Sequence, residues 1–451
     1  MEAVSTTPID ANAAPQSPTF GEAFRFWVKL GFISFGGPTG QIAIMNTELV
    51  ERRRWISQER FLHALNYCML LPGPEAQQLA TYVGWLLHRT WGGIVAGAFF
   101  VIPSIFILLF LSWIYAAYGN VPLVAAAFYG LKPAVTAIVA SATIQIGRRA
   151  LKNEVMYVIA LLAFIGIYFI GIPFPVIIIS AGLVGFFGGK FWTAKFYVIK
   201  PHGAATEQAV ISDHSEVEHA RPSWQRAFAV LLICGALWAA PMIGVALWRG
   251  TDDIFFQIGV FFSKAAVVTF GGAYAVLAYI AQAAVEHYGW LRPGQMLDGL
   301  GLAETTPGPL IMVTQFVGFM AAWQNVTDLA PLTAAIIGAL MTTWVTFTPC
   351  FLWIFLGAPF IERLRGNVVL TSALSAITAA VVGVVLNLAV FFAVHVLFPK
   401  NSGVVLSNLD VMALAITLVA FVGMVRWKWD IMLVVAGGAA AGLVYKLILG
   451  M

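Results

Sequence analysis

Residues 26–74 read FWVKLGFISFGGPTGQIAIMNTELVERRRWISQERFLHALNYCMLLPGP, and residues 261–309 repeat this pattern at a constant spacing without a gap. The matching positions are mostly glycines, prolines and charges set inside apolar segments. Two related halves with interrupted helices at corresponding positions are typical of membrane transporters that bind their substrate between the halves. Lys29 aligns with Lys264, Phe35-Gly36-Gly37 with Phe270-Gly271-Gly272, and Pro72-Gly73-Pro74 with Pro307-Gly308-Pro309.

The composition places most of the chain in a lipid bilayer. Of its 451 residues, 60% are hydrophobic and 10% are charged, whereas a soluble domain carries about 25% charged residues. Nucleic-acid binding is not expected, because there is no soluble basic face to carry it. The three cysteines lie far apart in apolar segments, so neither a zinc site nor a disulfide framework is expected. No ATP-binding loop and no cofactor motif is found, so we expect no metal, cofactor or catalytic residue.

A membrane-spanning helix needs about 20 apolar residues, and apolar segments run along the whole chain. Six of them precede a polar linker, one stands alone after it, and six follow. We therefore predict a cytosolic tail at 1–22, a first transporter repeat at 23–189, a cytosolic linker at 190–223, an inverting helix at 224–253 and a second repeat at 254–451. The segments are 24–48, 61–88, 92–118, 122–147, 155–172, 174–189, 226–248, 254–285, 294–323, 329–361, 368–397, 409–425 and 430–449.

The charges of equivalent loops predict that the two repeats have opposite orientations. The loop at 148–152 contains three basic residues, whereas its counterpart near 399–403 contains only Lys400. The arginines at 52–54 correspond to His287-Tyr288-Gly289. Because basic loops stay in the cytosol, this exchange is what an inverted repeat requires. We predict an all-α polytopic membrane protein with inverted-topology repeats of about six helical segments each, a cytosolic N-terminus and a periplasmic C-terminus.

The rule that basic loops stay in the cytosol also predicts the path of the interrupted segments. If 61–88 crossed the membrane fully, the arginines at 52–54 would lie outside the cell, against the rule. We therefore expect 24–48 and 61–88 to enter the membrane, break and return to the cytosolic face, and 254–285 and 294–323 to do the same from outside. The alternative is a set of full crossings that are only kinked at Gly and Pro.

The breaks themselves suggest an anion-binding site. A new half-helix should start at about Pro74 and another at about Pro309, the latter capped by Thr305 or Thr306. Their free N–H groups and positive dipole ends would point into the breaks, where glycine lets the backbone approach a ligand closely. The expected substrate-binding residues at the breaks are Gly36, Gly37, Gln41, Pro72, Gly73, Gln77, Gln78, Gly271, Gly272, Thr305, Thr306 and Gly308.

Four ionisable residues lie near these breaks. Lys29 and Lys264 precede the glycine pairs and are expected to supply a positive charge to the anion, although long side chains can instead reach out to the membrane surface. Glu75 follows the first Pro-Gly-Pro and Glu304 precedes the second. Both are candidates for proton coupling, since charge within a membrane segment usually faces a transport pathway. The alternative role for a carboxylate at a helix start is capping.

With these motifs in view, the chain resembles the chromate ion transporter family in its long, two-domain form. The resemblance is carried by the run Phe35-Gly36-Gly37-Pro38-x-Gly40-Gln41, by Trp55, and by the run at 71–80, which reads LPGPEAQQLA. It implies a bacterial inner-membrane protein that exports chromate at the expense of the proton-motive force and confers chromate resistance. The second half departs from the motif, since Leu310 stands where Glu75 would be and Val313 where Gln78 would be.

The residues alone lead to an anion transporter, and only the resemblance adds chromate. The expected partners are chromate or sulfate, protons as the coupling ion, and the lipid bilayer. Three alternatives stay open: a carrier that takes up sulfate or another oxyanion, a passive anion channel, and a membrane enzyme that reduces chromate. The sequence does not fix the oligomeric state, and a homodimer is one candidate.

Overall fold

The computed structural model describes residues 17–197, 209–211, 222–270, 272–360, 367–399 and 406–448, and these fold almost entirely into helices. Most of the tail at 1–22 and of the linker at 190–223 lies outside the described residues. The helices are α1 (Phe20–Ile33), α2 (Gly37–Asn46), α3 (Gln58–Cys68), α4 (Glu75–Phe99), α5 (Ile102–Tyr118), α6 (Pro122–Ala150), α7 (Glu154–Tyr168), α8 (Phe174–Phe191), α9 (Thr193–Phe196), α10 (Trp224–Arg249), α11 (Ile254–Val268), α12 (Ala273–Gln282), α13 (Pro293–Thr305), α14 (Val313–Asn325), α15 (Pro331–Gly357), α16 (Val368–Leu397), α17 (Val411–Trp427) and α18 (Ile431–Ile448).

Seven helical stretches in the described part of the chain are long and apolar enough to cross a bilayer. The prediction of an all-α polytopic membrane protein is therefore confirmed. Large apolar side chains are exposed along α7, α8, α10 and α17, as expected where a helix faces lipid. The seven stretches are Glu75–Tyr118, Pro122–Ala150, Phe174–Phe191, Trp224–Arg249, Pro331–Phe360, Val368–Leu397 and Ile431–Ile448.

The first interrupted segment forms α1 and α2. A capping box between Thr19 and Glu22 starts α1, which buries Phe26 and Leu30 on the face that packs against α4. The helix stops before Ser34, and Gly36 adopts a positive φ of 85°, a conformation that favours glycine. The next helix, α2, then starts with a proline in its first turn, where no backbone N–H is needed.

Both ends of each of the first two interrupted segments lie on one side of the molecule. The ring of His88, at the sharp turn within α4, approaches the carbonyl of Pro18 at 3.0 Å. The Arg53 guanidinium lies over the rings of Phe26 and Trp55. The backbone of Trp55 accepts a hydrogen bond from Ile211. We call this side the Arg53 end.

The starts and ends of the corresponding segments of the second half are likewise held together on one side of the molecule. Arg249 donates to Asp253, just before α11, and to Asp328, just after α14. Gln324, near the end of α14, donates to the carbonyl of Trp290, just before α13. We call this side the Arg249 end.

The helix α10 connects the two ends. It has 26 residues, which corresponds to about 39 Å at 1.5 Å per residue. Its first turn lies at the Arg53 end, because the guanidinium of Arg226 lies over the ring of Trp85. Only Val245 is buried in α10, so this helix lies at the periphery of the molecule.

The remaining helices pack closely around the interrupted segments. The long α16 contacts α6, α7 and α8, and α18 packs along α6. Small residues allow these approaches, since a side chain at Gly130 would overlap the backbone of α18 at Gly438 and Gly442. Small residues at helix crossings are typical of membrane proteins, where close backbone packing stabilises association.

Candidate functional site

The breaks of the two halves are hydrogen-bonded to each other in a reciprocal manner. The N–H of Gly73 donates to the carbonyl of Thr269 at 2.8 Å, and the N–H of Gly308 donates to the carbonyl of Ser34 at 2.8 Å. Gly73 and Gly308 hold equivalent positions in the repeat, as do Ser34 and Thr269. Backbone groups freed by a break inside a membrane protein need such partners. Each half therefore supplies a partner to the broken backbone of the other.

A cavity of about 180 Å³ lies beside these breaks. At a share of about 30 Å³ per water molecule, it has room for a small tetrahedral oxyanion. The cavity draws on five parts of the fold: the start of α2, the break between α3 and α4, the last two turns of α6, the start of α12 and one residue of α16. Its lining residues are Pro38, Thr39, Cys68, Met69, Leu71, Gly73, Glu75, Ala142, Gln145, Ile146, Arg149, Gly272, Ala273, Tyr274 and Thr378.

Three of these elements present their helix N-termini to the cavity. The first turn of α2 contributes Thr39, α4 begins at Glu75, and α12 begins immediately after Gly272. The first N–H groups of a helix have no partner within it, and the helix dipole is positive at this end. An anion in the cavity would therefore meet the positive ends of three helices.

One cation and one carboxyl group border the same cavity. Arg149 in the last turn of α6 is exposed, and its guanidinium donates to the hydroxyl of Thr39 at 3.3 Å. Glu75 lies close to Gly272, so this carboxyl group sits between the starts of α4 and α12. The cavity thus offers a positive charge at its mouth and a group that can carry a proton farther in.

The second predicted carboxyl group reaches the cavity through one tyrosine. Glu304 is only 3% exposed, and its carboxylate accepts a hydrogen bond from the Tyr274 hydroxyl at 2.7 Å. Tyr274 itself lines the cavity. Glu75 and Glu304 therefore border the same region from the two halves of the chain.

The predicted glutamines bind backbone or are packed away instead of lining the cavity. Gln41 is buried, and its amide donates to the carbonyls of Ser34 and Gly308, one from each half. Gln78 donates to the carbonyl of Pro72 at 2.8 Å. Gln77 is fully buried against Gly97, and neither atom of its amide has a hydrogen-bond partner.

The two threonines before the second Pro-Gly-Pro do not cap the following helix. The hydroxyls of Thr305 and Thr306 both donate to the carbonyl of Leu302, in the last turn of α13. The reason is distance along the chain, because a short 3₁₀ turn at Leu310–Met312 precedes α14 and separates its start from these hydroxyls. The expectation of a threonine cap was wrong.

The two predicted lysines are not brought to the cavity. Lys29 and Lys264 are both exposed. The inward face of α1 is taken by Phe26, Trp27 and Leu30, which leaves Lys29 on the outer face of the helix. Snorkelling to the membrane surface fits these positions, and a role in substrate binding stays a prediction.

The predicted glycines take positions that need their conformational freedom. Gly37 starts α2 with φ 65°, Gly73 has φ 122° and Gly272 has φ 97°. Gly73 and Gly272 also line the cavity, and Pro72 accepts the bond from Gln78. Gly271 lies outside the described residues.

Several residues that complete the site have no recognisable motif in the sequence. Arg149 stands out there only as a charge in a basic loop, and its contact with Thr39 joins α6 to α2. Tyr274 and Ser104 had no local motif at all, although Ser104 donates to the carbonyl of Pro307 and so helps to hold the second break. In the described part of the chain, no group of His, Cys, Asp and Glu side chains is arranged to hold a metal ion.

Apolar spans combined with broken helices around a polar cavity define the class, a multi-pass membrane protein of the transporter type. The chain belongs to the chromate transporter family, whose profile matches residues 21–186 and 256–443. The family resemblance seen in the sequence is therefore confirmed.

Individual relatives support this assignment. The chain is 27% identical over 454 residues to the "Chromate transport protein" of Cupriavidus metallidurans, covering 98% of each chain. It is 29% identical to the "Chromate transport protein" of Pseudomonas aeruginosa, over 84% of this chain and 82% of that relative. An "uncharacterized transporter" of Bacillus subtilis is 30% identical over 35% of this chain and 78% of its own length. No solved structure matches the chain.

Proposed function

We propose that this protein is a secondary active transporter that exports chromate from the bacterial cytoplasm, that the proton-motive force drives export, and that export confers chromate resistance. The observation that carries the proposal is the cavity in which three helix N-termini and Arg149 converge. Such a site suits a tetrahedral dianion, which accepts hydrogen bonds on all sides. The names of the two long relatives supply the choice of chromate among such anions.

The proposal includes two repeats of opposite orientation, with the Arg53 end in the cytosol. Basic residues at 52–54 and 148–152 support this orientation, because cytosolic loops are rich in Lys and Arg. The interrupted segments of the first half begin and end at the Arg53 end, those of the second half at the Arg249 end. In this orientation the central cavity opens toward the cytosol at Arg149. An exported anion must enter its binding site from the cytosol, so this opening agrees with export.

The membrane potential alone favours the proposed direction. Each elementary charge gains about 2.3 kcal/mol from 100 mV, so the exit of a dianion from a negative interior is favoured by about 4.6 kcal/mol. Exchange for an entering proton would add the pH gradient to this driving force. Glu75 and Glu304 are the groups that we propose for the proton. Glu75 lines the cavity, Glu304 accepts a hydrogen bond from Tyr274 in the cavity lining, and neither forms an ion pair with another described residue.

The test is a transport assay in proteoliposomes with the membrane potential and the pH gradient set independently. With the membrane potential held at zero, we expect chromate to accumulate against its own concentration gradient when protons can flow the other way, and to accumulate further when the trans side is positive. A passive channel would show no accumulation at zero potential, because its flux only runs down the electrochemical gradient of chromate. Sulfate in excess should compete, since it has the same charge and shape.

The direction of transport is measured in intact cells. Cells that produce the protein should hold less chromate than cells that do not, while their internal sulfate changes little. Higher internal sulfate in the producing cells would support the alternative of an uptake carrier. Recovery of the missing chromate outside the cells in unreduced form separates transport from reduction.

A further inference from the structure

A second and larger cavity, of about 580 Å³, opens at the Arg249 end. We call it the outer vestibule. It lies between the first half of α6, the start of α13, the end of α16, the start of α17 and the end of α18. Its lining residues are Pro122, Ala125, Ala126, Tyr129, Lys132, Pro293, Gly294, Leu297, His395, Val396, Pro399, Asp410, Ala413 and Lys446.

The vestibule and the central cavity are separate sites along one helix. Lys132 lines the vestibule and Ala142 lines the central cavity, which places them about 15 Å apart along α6 at 1.5 Å per residue. Val135 lies between them along the helix, and the side chains of Val135 and Leu131 pack against Gly301 of α13.

A buried charge cluster borders the vestibule. The ammonium of Lys132 lies 3.4 Å from the Asp298 carboxylate, and the Tyr115 hydroxyl donates to the same oxygen at 2.8 Å. Asp298 is only 2% exposed, and its other carboxylate oxygen has no hydrogen-bond partner. The Lys132 side chain, in contrast, is 33% exposed and lines the cavity. The lysine therefore faces both the buried carboxylate and the open vestibule.

The other acidic group of the vestibule already has a structural role. Asp410 caps α17 by accepting from the N–H of Ala413, and the Tyr129 hydroxyl donates to both of its oxygens. The Lys446 ammonium lies 5.0 Å from the ring of Tyr129, and His395 is exposed on the rim. Three basic side chains thus line the vestibule, and of these Lys132 pairs with the buried Asp298.

We propose that the outer vestibule binds a tetrahedral oxyanion through Lys132, and that Asp298 occupies this lysine when no anion is present. A carboxylate and an oxyanion offer the ammonium the same ligand, charged oxygen, so they compete for it. When the anion takes Lys132, Asp298 keeps the hydrogen bond from Tyr115. This inference rests on the proposed function, because it assigns the site that an exported anion occupies on its way out.

The competition predicts that substitutions at Asp298 and at Tyr115 change the affinity for sulfate in opposite directions. Asp298→Asn removes the competing charge and should lower the sulfate concentration needed for half-occupancy by about tenfold, the size expected for loss of one charge-assisted hydrogen bond. Tyr115→Phe removes the hydrogen bond from Tyr115 to Asp298, so the Asp298 carboxylate should hold Lys132 more strongly. The sulfate concentration needed for half-occupancy should therefore rise. Lys132→Met should remove sulfate binding at this site.

The experiment follows Lys132 directly in the full chain held in lipid nanodiscs. An amine-reactive reagent labels exposed lysines, and mass spectrometry reports the labelling of each one as sulfate replaces chloride at constant ionic strength. Sulfate should protect Lys132 but not Lys190, an exposed lysine outside the vestibule that serves as the control. Lys132→Met is assayed by equilibrium sulfate binding, where the weaker of two binding components should disappear.

The outcomes separate this inference from the proposed function. If Asp298→Asn and Tyr115→Phe shift the protection midpoint in the same direction, or if sulfate does not protect Lys132, the pair is only structural and the inference is overturned. If protection behaves as expected but the wild-type chain moves no chromate in proteoliposomes, the vestibule site stands and the proposed function fails.

Discussion

At the scale of single residues, the charge that an anion would meet in the central cavity comes from Arg149. Its guanidinium is held at the mouth by Thr39, a residue more than a hundred positions away in sequence. No local sequence motif indicates such a contact, whereas Gly and Pro indicate a helix break because of their own backbone conformations. This difference explains why the sequence predicted the breaks and Glu75 but not the cation. The sequence favours Lys29 instead, because its repetition in the second half is visible in the sequence, whereas its position on the outer face of α1 is not.

Replacing Arg149 tests its role in anion binding. Arg149→Gln removes a charge-assisted hydrogen bond, worth about 1.5–3 kcal/mol, so we expect the Kd for chromate or sulfate to rise by about tenfold or more. The neighbouring Arg148 is also exposed but does not line the cavity, and Arg148→Gln is the matched control. Equilibrium binding of sulfate to the purified protein measures both. Equal effects of the two substitutions would point to a general surface charge and against a site at Arg149.

Glu75→Gln tests proton coupling at the centre of the cavity. The amide keeps the size of the side chain but cannot exchange a proton, so transport should lose its dependence on the pH gradient while anion binding is largely retained. The measurement is chromate flux in proteoliposomes at fixed membrane potential with and without a pH gradient. Equal losses of binding and of gradient-driven flux would mean that Glu75 is a ligand contact or a structural group.

Gly308→Ala tests the reciprocal contact between the breaks. Gly308 has φ 102°, and a methyl group there would overlap the Ser104 hydroxyl and approach the carbonyl of Phe100 at 3.2 Å. A strained backbone conformation costs roughly 1–3 kcal/mol, so the thermal unfolding midpoint should fall. Gly437 in α18 has open space around it, and Gly437→Ala should leave the midpoint unchanged or raise it. An unchanged midpoint for Gly308→Ala would show that this break tolerates a side chain.

At the scale of helices, the sequence predicted the apolar segments and the breaks at the Pro-Gly-Pro motifs, but not the side chains that hold the breaks in place. The segment at 61–88 became α3 and the first part of α4, as the Pro-Gly-Pro indicates. The sharp turn at His88 and Arg89, where Arg89 takes φ 54°, falls at the predicted end of the segment 61–88, although no glycine or proline lies at the turn itself. That turn is set by packing, because Gly84 and Gly92 on its two sides approach so closely that neither could carry a side chain. Side chains that hold the breaks, such as Gln41, were likewise recognised as polar but not as backbone ligands.

The contact between α10 and the loop after α14 predicts a dependence of stability on pH. The hydrogen bond from Arg249 lowers the pKa of Asp328 below its ordinary value. Because the folded-state pKa lies below the unfolded value of about 3.9, the pair stabilises the fold above that pH and loses its contribution as the pH falls through the folded-state pKa. Asp328→Asn should therefore lower the unfolding midpoint near neutral pH and have no effect in strong acid. A loss of the same size at every pH would assign the effect to packing instead of charge.

At the scale of the whole molecule, the family and the polytopic helical fold followed from the sequence, while the relation between the halves depends on contacts that no single segment encodes. The hydrogen bonds from Gly73 to Thr269 and from Gly308 to Ser34 each join residues about two hundred or more positions apart. They follow from how two repeats face each other, which the repeat pattern suggests but does not specify. The second half departs from the motif, with Leu310 in place of a carboxylate, and in the described structure Glu75 lines the central cavity whereas Leu310 does not.

The opposite orientation of the repeats can be tested at one pair of equivalent positions. Arg52 and His287 correspond to each other in the repeat, and both are exposed, one near the Arg53 end and one near the Arg249 end. In a background without Cys68, Cys234 and Cys350, a membrane-impermeant maleimide applied to intact cells should label His287→Cys but should reach Arg52→Cys only after lysis. The expectation follows from the positive-inside rule, which keeps the arginines at 52–54 in the cytosol. Labelling of both cysteines from the same side would mean that the repeats run parallel, and the central cavity would then need a different account of how an anion enters on one face and leaves on the other.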